Sequence, residues 1–303
     1  MKRFFLNILL FALPFPGILL VADYLLSREA AHSNYRPIES WYDLMHGNID
    51  ADIIVMGNSR AWVHFDPMIM DSILCVNTYN IGIDGSAVNR QVHKYNLFKK
   101  RNRKPKVILQ NIDLNSLNYT VGYEREQFLP YFLDRSMRNE FLPSEPFTFC
   151  EKYIPLHRYH MIEIKNLFSR GPRSLTKGYQ GMDWIWDDSK YKGISKLTFA
   201  PSDTTVRMFE EYLAETKADS IKVVFVYSPY YIGATGKITN LEEMQSFYQD
   251  IANKYDIPVL DYSQMSICSD TTFFYNAMHL NRRGAELFTD SLANDIKKLG
   301  VLK

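Results

Sequence analysis

Short apolar runs, each ending in small or polar residues, are the feature that most constrains the fold of this chain. The clearest is residues 53–56, Ile-Ile-Val-Met, followed directly by Gly57, Asn58 and Ser59. A run of apolar, largely β-branched residues is typical of a strand buried on both faces of a parallel sheet. Gly57 permits a sharp turn. We therefore expect Ser59 at the carboxyl edge of the sheet, where open α/β sheets bind ligands.

Two interpretations of this stretch remain open at the level of its residues. A serine at a sheet edge is a candidate nucleophile if a base lies within reach. Asn58 or Ser59 would also suit the start of a helix, where the side chain caps the first turn.

The rest of the chain alternates between apolar runs and segments with helical periodicity. Besides residues 53–56, the predicted strands are residues 74–80, 107–111, 221–227 and 257–260. The predicted helices are residues 37–46, 87–99, 203–217, 241–255 and 283–299. Such alternation is typical of a parallel sheet with helices on both faces. The predicted fold class is therefore α/β, a doubly wound, flavodoxin-like three-layer sandwich around five parallel strands.

Two segments fall outside this alternation. Residues 116–200 are rich in aromatic and polar residues and contain no clean strand. Because the segment is longer than an ordinary crossover, we predict a helical or irregular insertion that shapes a substrate groove. A purely structural helical layer is the alternative. Residues 1–28 form the second segment, and residues 29–303 form the predicted α/β domain that contains the insertion.

The amino-terminal segment has the pattern of a signal anchor. Lys2 and Arg3 precede a mostly apolar stretch at residues 4–26, which is long enough for a helix across a bilayer. No small-x-small cleavage site follows, and this favours an uncleaved anchor over a cleaved signal peptide. Basic residues on the amino side predict that this end stays in the cytoplasm. The main domain would then lie outside, in the periplasm or at the cell surface.

The composition argues against several kinds of function. Lys and Arg total 35 against 34 Asp and Glu, so no overall positive field favours nucleic acid as a partner. The three cysteines are an odd number without Cys-x-x-Cys spacing, which indicates neither a zinc site nor a disulfide framework. Cys75 lies in an apolar run and is predicted to be buried. We expect neither a metal nor an organic cofactor.

A candidate base for Ser59 lies near the other end of the chain. His279 falls in a predicted loop at residues 270–281, just before the last helix, so its side chain can reach over the sheet edge. A neutral imidazole with a pKa near 6.5 can take the proton of a serine hydroxyl. The other histidines have no comparable loop setting. His64, only five residues after Ser59, is expected to point elsewhere.

Four short blocks of the sequence resemble those of the SGNH (GDSL-like) hydrolases. Residues 57–60 resemble the first block, and residues 80–85 resemble the second. Asn115, with Asn111 as the alternative, is similar to the asparagine of the third block. Residues 276–281 resemble the last block, which supplies an acid and a base. The four blocks occur in the order found in the family.

The resemblance implies a serine hydrolase site on an α/β sheet. Ser59 would attack an acyl carbonyl, and His279 would act first as a base and then as an acid. The backbone N–H groups of Ser59 and Gly85 and the side-chain amide of Asn115 would hold the oxyanion. The predicted substrate contacts are Arg60 and Asn111.

Two residues depart from the family pattern. The aspartate that usually precedes the serine is Asn58, a change that should leave the turn intact. The aspartate three residues before the histidine is Asn276, and in serine proteases a comparable change costs about 10⁴-fold in rate. Three outcomes stay open: His279 works without a carboxylate, Asp270 or Asp261 replaces the missing one, or catalysis is weak.

The predicted anchor and insertion extend the resemblance to membrane-tethered SGNH-like proteins that work beside polysaccharide or cell-wall O-acylation machinery, including the D-alanyl transfer protein of teichoic acid modification. This resemblance implies ester hydrolysis or acyl transfer on an envelope glycan. The implied partners are an acylated polysaccharide or small ester, the membrane, and a membrane-bound acyltransferase.

Two alternatives compete with this function. A non-catalytic protein of the same fold could bind glycan or scaffold exopolysaccharide assembly, and Asn276 is its best support. An α/β-hydrolase also has its serine before its histidine, but that fold requires Gly-x-Ser-x-Gly and residue 61 is Ala. A purely structural envelope protein is the remaining interpretation.

Overall fold

The structure is a computed structural model that describes residues 13–189 and 196–302, together with residues 1, 3, 4, 7 and 11. The chain forms two compact units. The first combines Met1–Asp43 with Glu124–Ser174, and the second combines Leu44–Tyr123 with Leu175–Lys303. The predicted insertion at residues 116–200 is therefore divided, because residues 124–174 group with the amino-terminal segment.

The second unit is built on a sheet of five parallel strands. They are β1 (Ile53–Met56), β2 (Thr78–Asn80), β3 (Val107–Asn111), β4 (Lys222–Tyr227) and β5 (Val259–Asp261). Their order across the sheet is β2-β1-β3-β4-β5, and each neighbouring pair is parallel. This is the strand order of flavodoxin-like folds. The predicted α/β fold class is confirmed.

The helices among the described residues are numbered here in chain order. They are α1 (Pro14–Ala30), α2 (Arg36–His46), α3 (Ser59–His64), α4 (Pro67–Leu74), α5 (Val88–Lys99), α6 (Arg135–Glu140), α7 (Phe149–Tyr153), α8 (Ile164–Leu167), α9 (Asp203–Ala218), α10 (Ile232–Thr235), α11 (Leu241–Tyr255) and α12 (Arg282–Leu299). Short 3-10 turns lie at Arg125–Tyr131, Leu142–Ser144, His157–Met161, Ser266–Ser269 and Thr271–Phe273.

The sheet is covered on both faces because alternate residues of each strand point to opposite sides. On one face, the central strands share a buried core with α3, α4 and α12, to which Phe288 of α12 belongs. On the other face, Phe225 of β4 stacks on Phe209 of α9, with ring centroids 5.5 Å apart. The Tyr212 hydroxyl of α9 lies 3.5 Å from the sulfur of Met56 in β1. These contacts complete the three layers.

The second strand is shorter than the sequence predicts. The predicted strand at residues 74–80 begins inside α4, and β2 starts only at Thr78. Asp66 caps α4 by accepting a hydrogen bond from the Met68 N–H at 2.9 Å, and a proline follows the cap, as is common at a helix start. Cys75 ends the helix in the left-handed conformation, with φ of 55°. Its side chain is exposed, so the predicted burial is wrong.

The predicted loop at residues 270–281 contains a small hairpin. Its strands are β6 (Phe274–Asn276) and β7 (His279–Leu280), which pair antiparallel around a two-residue turn. Asn276 and His279 face each other directly in this pairing. The hairpin therefore fixes the distance between these two residues more firmly than an open loop would.

The first unit has its own buried contacts. Asp23 of α1 forms an ion pair with Arg158 at 2.9 Å, and both side chains are buried. Trp41 of α2 packs edge-on against Phe128 and Phe141, with ring centroids 5.4 and 5.2 Å away. The last two turns of α1 are thus part of a folded unit.

Among the described residues, none of the helices combines the length and the hydrophobicity that crossing a membrane requires. Residues 2, 5, 6, 8–10 and 12 of the predicted anchor lie outside the described residues.

Candidate active site

The turn between β1 and α3 is built around Gly57. Its φ of +150° is one that residues with a side chain rarely adopt. A Cβ at this position would lie 2.6 Å from the Cβ of Ala61 and 2.9 Å from the Cβ of Asn111. Because neither neighbour can move without disturbing α3 or β3, this position requires glycine.

Asn58 caps the helix that follows this turn. Its Oδ1 accepts a hydrogen bond from the Arg60 N–H at 3.0 Å, and its Nδ2 donates to Asp113 at 2.6 Å. The cap interpretation therefore holds for Asn58. Ser59, the first residue of α3, is partly exposed, and its hydroxyl remains available for chemistry.

Ser59, His279 and Asn276 form a hydrogen-bonded row. The Ser59 Oγ lies 2.8 Å from His279 Nε2, and His279 Nδ1 lies 2.9 Å from Asn276 Oδ1. The same Oδ1 accepts the Met278 N–H at 2.9 Å. Because an amide oxygen only accepts, Nδ1 carries the proton and Nε2 is left to accept the serine proton. The amide thus holds the tautomer that general-base catalysis needs.

His279 is a weak base in this setting. Burial lowers the pKa of His279 to about 4, with a further lowering by Arg60 and an opposing contribution from Asp113. The imidazole is therefore neutral at pH 7 and ready to accept a proton. The imidazolium that would form has an amide, not a carboxylate, on its Nδ1, so it is less stabilised than in an aspartate-containing triad.

The two carboxylates considered as replacements lie elsewhere. Asp270 accepts a hydrogen bond from the Thr272 N–H at 2.9 Å, and Asp261 accepts one from the Ser263 N–H at 2.8 Å. Both side chains serve their own local turns. Of the three outcomes left open by the sequence, replacement by Asp270 or Asp261 is not what the structure shows.

The loop after β2, which contains the predicted oxyanion donor Gly85, lies beside the turn between β1 and α3. The Ile83 N–H donates to the Gly57 carbonyl at 3.0 Å, which brings the loop after β2 alongside the turn. Gly85 follows in that loop with φ of +58°, and a Cβ there would lie 2.5 Å from the Tyr123 ring. The role of Gly85 in an oxyanion hole stays a prediction.

Asn115 is connected to the turn between β1 and α3 through Asp113, which also binds Asn58. Its backbone N–H donates to Asp113 Oδ1 at 2.8 Å, and the other oxygen of Asp113 holds Asn58. The side chain of Asn115 is exposed and accepts a hydrogen bond from Asn118 at 3.2 Å. Asp113 therefore ties the loop after β3 to the residue that precedes the nucleophile.

Arg60 and Asn111 do not face a substrate surface. The Arg60 side chain is 2% exposed, lies 3.5 Å above the Tyr230 ring and donates to the Ser228 carbonyl. Asn111 is fully buried and accepts a hydrogen bond from the Ser228 hydroxyl at 2.8 Å. The predicted substrate contacts are corrected accordingly: both side chains hold the loops of the sheet edge from within.

His64 belongs to the site, contrary to the sequence-based expectation. Its Nε2 accepts the Leu280 N–H at 3.0 Å, so Nδ1 carries the proton and donates to Ser228 Oγ at 3.1 Å. Ser228 in turn donates to Asn111. Burial and the nearby Arg60 lower the pKa of His64 well below its usual value, so the ring is neutral. It positions the hairpin and does not act as a base.

Sequence reasoning missed Asp113, Ser228 and His64. Asp113 lies two residues after the end of β3, and Ser228 directly follows the end of β4. Polar residues at the carboxyl ends of parallel strands are candidates for a functional site, so their position was a usable signal. The partner of His64 is 216 residues away in the chain, so no local pattern indicates its role.

A cleft of about 490 Å³ lies at the opposite edge of the sheet. Its lining includes Lys222 and Val223 at the start of β4 and Pro258 before β5. We place the site at Ser59 because a nucleophile and a base meet there. Within the described part of the chain, no group of His, Cys, Asp or Glu side chains is arranged to hold a metal ion.

No protein-family model and no curated protein matches the chain. Several solved structures are similar to it. A member of the lipolytic protein G-D-S-L family from Veillonella parvula is 13% identical, with 81% of this chain and 97% of that chain covered and a TM-score of 0.43. A GDSL-like lipase from Bacteroides thetaiotaomicron is 13% identical, with coverage of 82% and 88% and a TM-score of 0.41.

A third similar structure is a family two carbohydrate esterase from Clostridium thermocellum in complex with cellohexaose. It is 11% identical, with 84% of this chain and 66% of that chain covered and a TM-score of 0.44. None of these three TM-scores reaches 0.5, so the assignment of the fold depends on features of the chain itself. The chain has the flavodoxin-like α/β fold, and its four ordered blocks and its Ser59–His279 pair are similar to those of the SGNH hydrolases.

Proposed function

We propose that the chain is a serine esterase or O-acyltransferase of the SGNH type. The observation that carries this proposal is the 2.8 Å contact between Ser59 Oγ and the unprotonated Nε2 of His279. A serine hydroxyl becomes a nucleophile at neutral pH only when a base takes its proton. The hydrogen bond from Nδ1 to Asn276 keeps that base in the required tautomer and orientation.

The reaction follows from this geometry in two halves. The Ser59 proton moves to His279 Nε2 as Oγ attacks the carbonyl carbon of an ester, and the carbonyl oxygen becomes an oxyanion. When the oxyanion collapses, the bond to the alcohol breaks and His279 gives its proton to the departing oxygen. The acyl group now sits on Ser59. In the second half, His279 takes a proton from water or from an acceptor hydroxyl as its oxygen attacks the acyl carbon. The bond to Ser59 Oγ then breaks and His279 returns the proton to Oγ, so that water gives hydrolysis and an acceptor hydroxyl gives transfer.

The proposed oxyanion donors are the N–H groups of Ser59 and Gly85 and the side chain of Asn115. The first N–H groups of a helix have no partner within the helix, and Ser59 is the first residue of α3. The loop pairing at Gly57 and the bridge through Asp113 support the inclusion of the other two.

We further propose that the protein is anchored in a membrane, with its catalytic unit outside the cytoplasm. The support is the basic pair Lys2–Arg3 followed by an apolar stretch. Asp23, the acidic residue inside that stretch, pairs with Arg158 in the first unit. Its charge is therefore not one that a bilayer must accommodate. Esters on an envelope glycan are the proposed substrates, with a membrane-bound acyltransferase as the proposed partner.

Labelling by a fluorophosphonate probe tests the catalytic proposal. The full-length protein in detergent should react at Ser59, and Ser59→Ala should abolish the labelling. Ser269→Ala is a matched control, because Ser269 is an exposed serine in a 3-10 turn of the same unit. Equal labelling of the wild type and Ser59→Ala would overturn the proposal.

A binding protein of the same fold is the second candidate function. It is favoured by Asn276, which leaves the His279 imidazolium without a carboxylate partner at Nδ1. This candidate predicts saccharide binding that survives both Ser59→Ala and His279→Ala, and no ester turnover by any variant.

A further inference from the structure

An aromatic pile extends outward from His279. The Tyr275 ring stacks on the His279 imidazole, with centroids 5.3 Å apart and planes 11° from parallel. The Trp184 indole meets Tyr275 edge to face, with centroids 5.4 Å apart and planes at 88°. Trp184 therefore lies two ring contacts from the base that activates Ser59.

The segment that carries Trp184 is held in place by Arg282, the first residue of α12. The Arg282 guanidinium binds both oxygens of Asp183, at 2.6 and 2.8 Å. The Arg282 N–H donates to the Met182 carbonyl at 2.7 Å. Gly181 lies so close to the same guanidinium that a Cβ there would overlap it. Arg282 is three residues after His279, so the segment that carries Trp184 is bonded to the part of the chain that also positions the base.

Burial changes sharply along this pile. Tyr275 is 8% exposed and belongs to a small core with Trp62, Val63 and Met182. Trp184 is 57% exposed. A large indole held rigidly by its neighbours yet left more than half open has a face available to a ligand.

The surroundings of the indole favour a sugar ring over an acyl chain. A pyranose has a flat face of C–H bonds that packs on an aromatic ring and a rim of hydroxyls that need polar partners. Asp183, the residue directly before Trp184, and its partner Arg282 form an exposed ion pair that can supply such polar partners. An acyl chain would instead be bound best in an enclosed apolar channel.

We propose that Trp184 is a stacking platform for a sugar ring of the substrate. The ring on the indole is the sugar that bears the ester, or its neighbour in the chain, and the ester reaches past Tyr275 to Ser59. This proposal rests on the proposed function, which it deepens by identifying where the saccharide binds. It assigns Trp184 to binding and gives it no part in proton transfer.

Saccharide binding in the absence of turnover tests the platform. Full-length Ser59→Ala protein is titrated calorimetrically with xylohexaose and, separately, with chitohexaose. We expect binding of at least one of them to weaken by about tenfold or more when Trp184→Ala is added, since tenfold is the loss of one modest contact. Trp184→Phe should retain part of the affinity. Leu287→Ala, which removes an exposed apolar side chain from α12, is the control and should bind as its parent does.

Three results would overturn the platform: equal affinity with and without Trp184, no binding of either saccharide, or binding of decanoate in place of saccharide that depends on Trp184. The fluorophosphonate experiment on Ser59 reports on catalysis alone. If the wild type took no label, or if Ser59→Ala were labelled as strongly as the wild type, while saccharide binding still depended on Trp184, the proposed reaction would be refuted and the platform would stand. Labelling at Ser59 without Trp184-dependent saccharide binding would refute only the platform.

Discussion

His64 Nε2 accepts a hydrogen bond at 3.0 Å from the backbone N–H of Leu280, the residue directly after the proposed catalytic base. The other ring nitrogen of His64 binds Ser228, which follows the end of β4. One buried imidazole thus joins the end of α3 to the hairpin and to the central sheet. This contact fixes the hairpin together with the buried side chains of Phe274 and Leu280.

Replacement of His64 should therefore disturb the position of His279, although the two side chains do not share a hydrogen bond. His64→Leu leaves the Leu280 N–H without an acceptor, and a buried unsatisfied donor costs about 1–3 kcal/mol. We expect a lower melting temperature and a fall in kcat against a simple ester. His64→Gln, whose side-chain oxygen can accept the same N–H, should recover part of the loss. If both variants kept the wild-type kcat, His64 would have no positioning role.

Restoring a carboxylate at position 276 should raise the rate. In Asn276→Asp the negative charge stabilises the His279 imidazolium, so the pKa of His279 rises from about 4 and the acidic limb of the kcat/KM profile moves to higher pH. The cost of the reverse change in serine proteases sets an upper bound of about 10⁴-fold on the gain. Asn276→Ala, which removes the hydrogen bond to Nδ1, should lower the rate. An unchanged rate in Asn276→Asp would show that the imidazolium does not limit catalysis.

Stability should fall as the pH drops below about 6.5, the ordinary pKa of histidine. The pKa values of His64 and His279 are both lower in the folded protein than in the unfolded chain. At a pH between the lower pKa of the folded protein and the ordinary pKa of the unfolded chain, the unfolded chain binds more protons, so acid favours unfolding. Urea denaturation at pH 7.5 and pH 5 measures the difference. His64→Gln should show a smaller pH dependence than the wild type, and an equal dependence would contradict this assignment.

Loss of Arg60 should destabilise the fold strongly. Its guanidinium lies 3.5 Å from the Asp113 carboxylate, and both side chains are almost fully buried. Removing one partner of a buried ion pair costs about 3–5 kcal/mol, because the other charge is left uncompensated. Arg60→Leu should show this loss in urea denaturation. The double variant Arg60→Leu/Asp113→Asn should be more stable than Arg60→Leu, since it removes the stranded charge, and no recovery would argue against the ion pair as the cause.

Much of the fold follows from local pattern. The bounds of β1, β3 and α11 agree with the predicted residues 53–56, 107–111 and 241–255, because a buried run or an amphipathic stripe carries its own period. The second strand was misjudged because a short apolar run suits a helix as well as a strand. The cap and proline at Asp66–Pro67 were the signals that distinguish the two.

In the site, too, local pattern predicts some residues and leaves others out. Ser59 and His279 could be paired from the sequence because Ser59 follows the first strand, His279 precedes the last helix, and both lie in blocks of a recognisable order. The contacts that hold them, from Asp113 to Asn58 and from His64 to Leu280, join distant parts of the chain through single hydrogen bonds. Residue type and spacing do not encode such pairings. Arg60 was wrongly predicted to contact the substrate. A charged residue next to a nucleophile suggests a substrate contact, and the sequence does not show that its side chain is buried.

The Asp23–Arg158 pair has a practical consequence for preparing a soluble form of the protein. A form that starts after residue 28 would discard Asp23 and leave the buried Arg158 guanidinium without its carboxylate. Such a form would be expected to misfold or aggregate for a reason unrelated to the active site. A form that starts at Pro14, the first residue of α1, keeps the pair but still needs detergent, because Phe15, Ile18 and Leu20 of that helix are exposed.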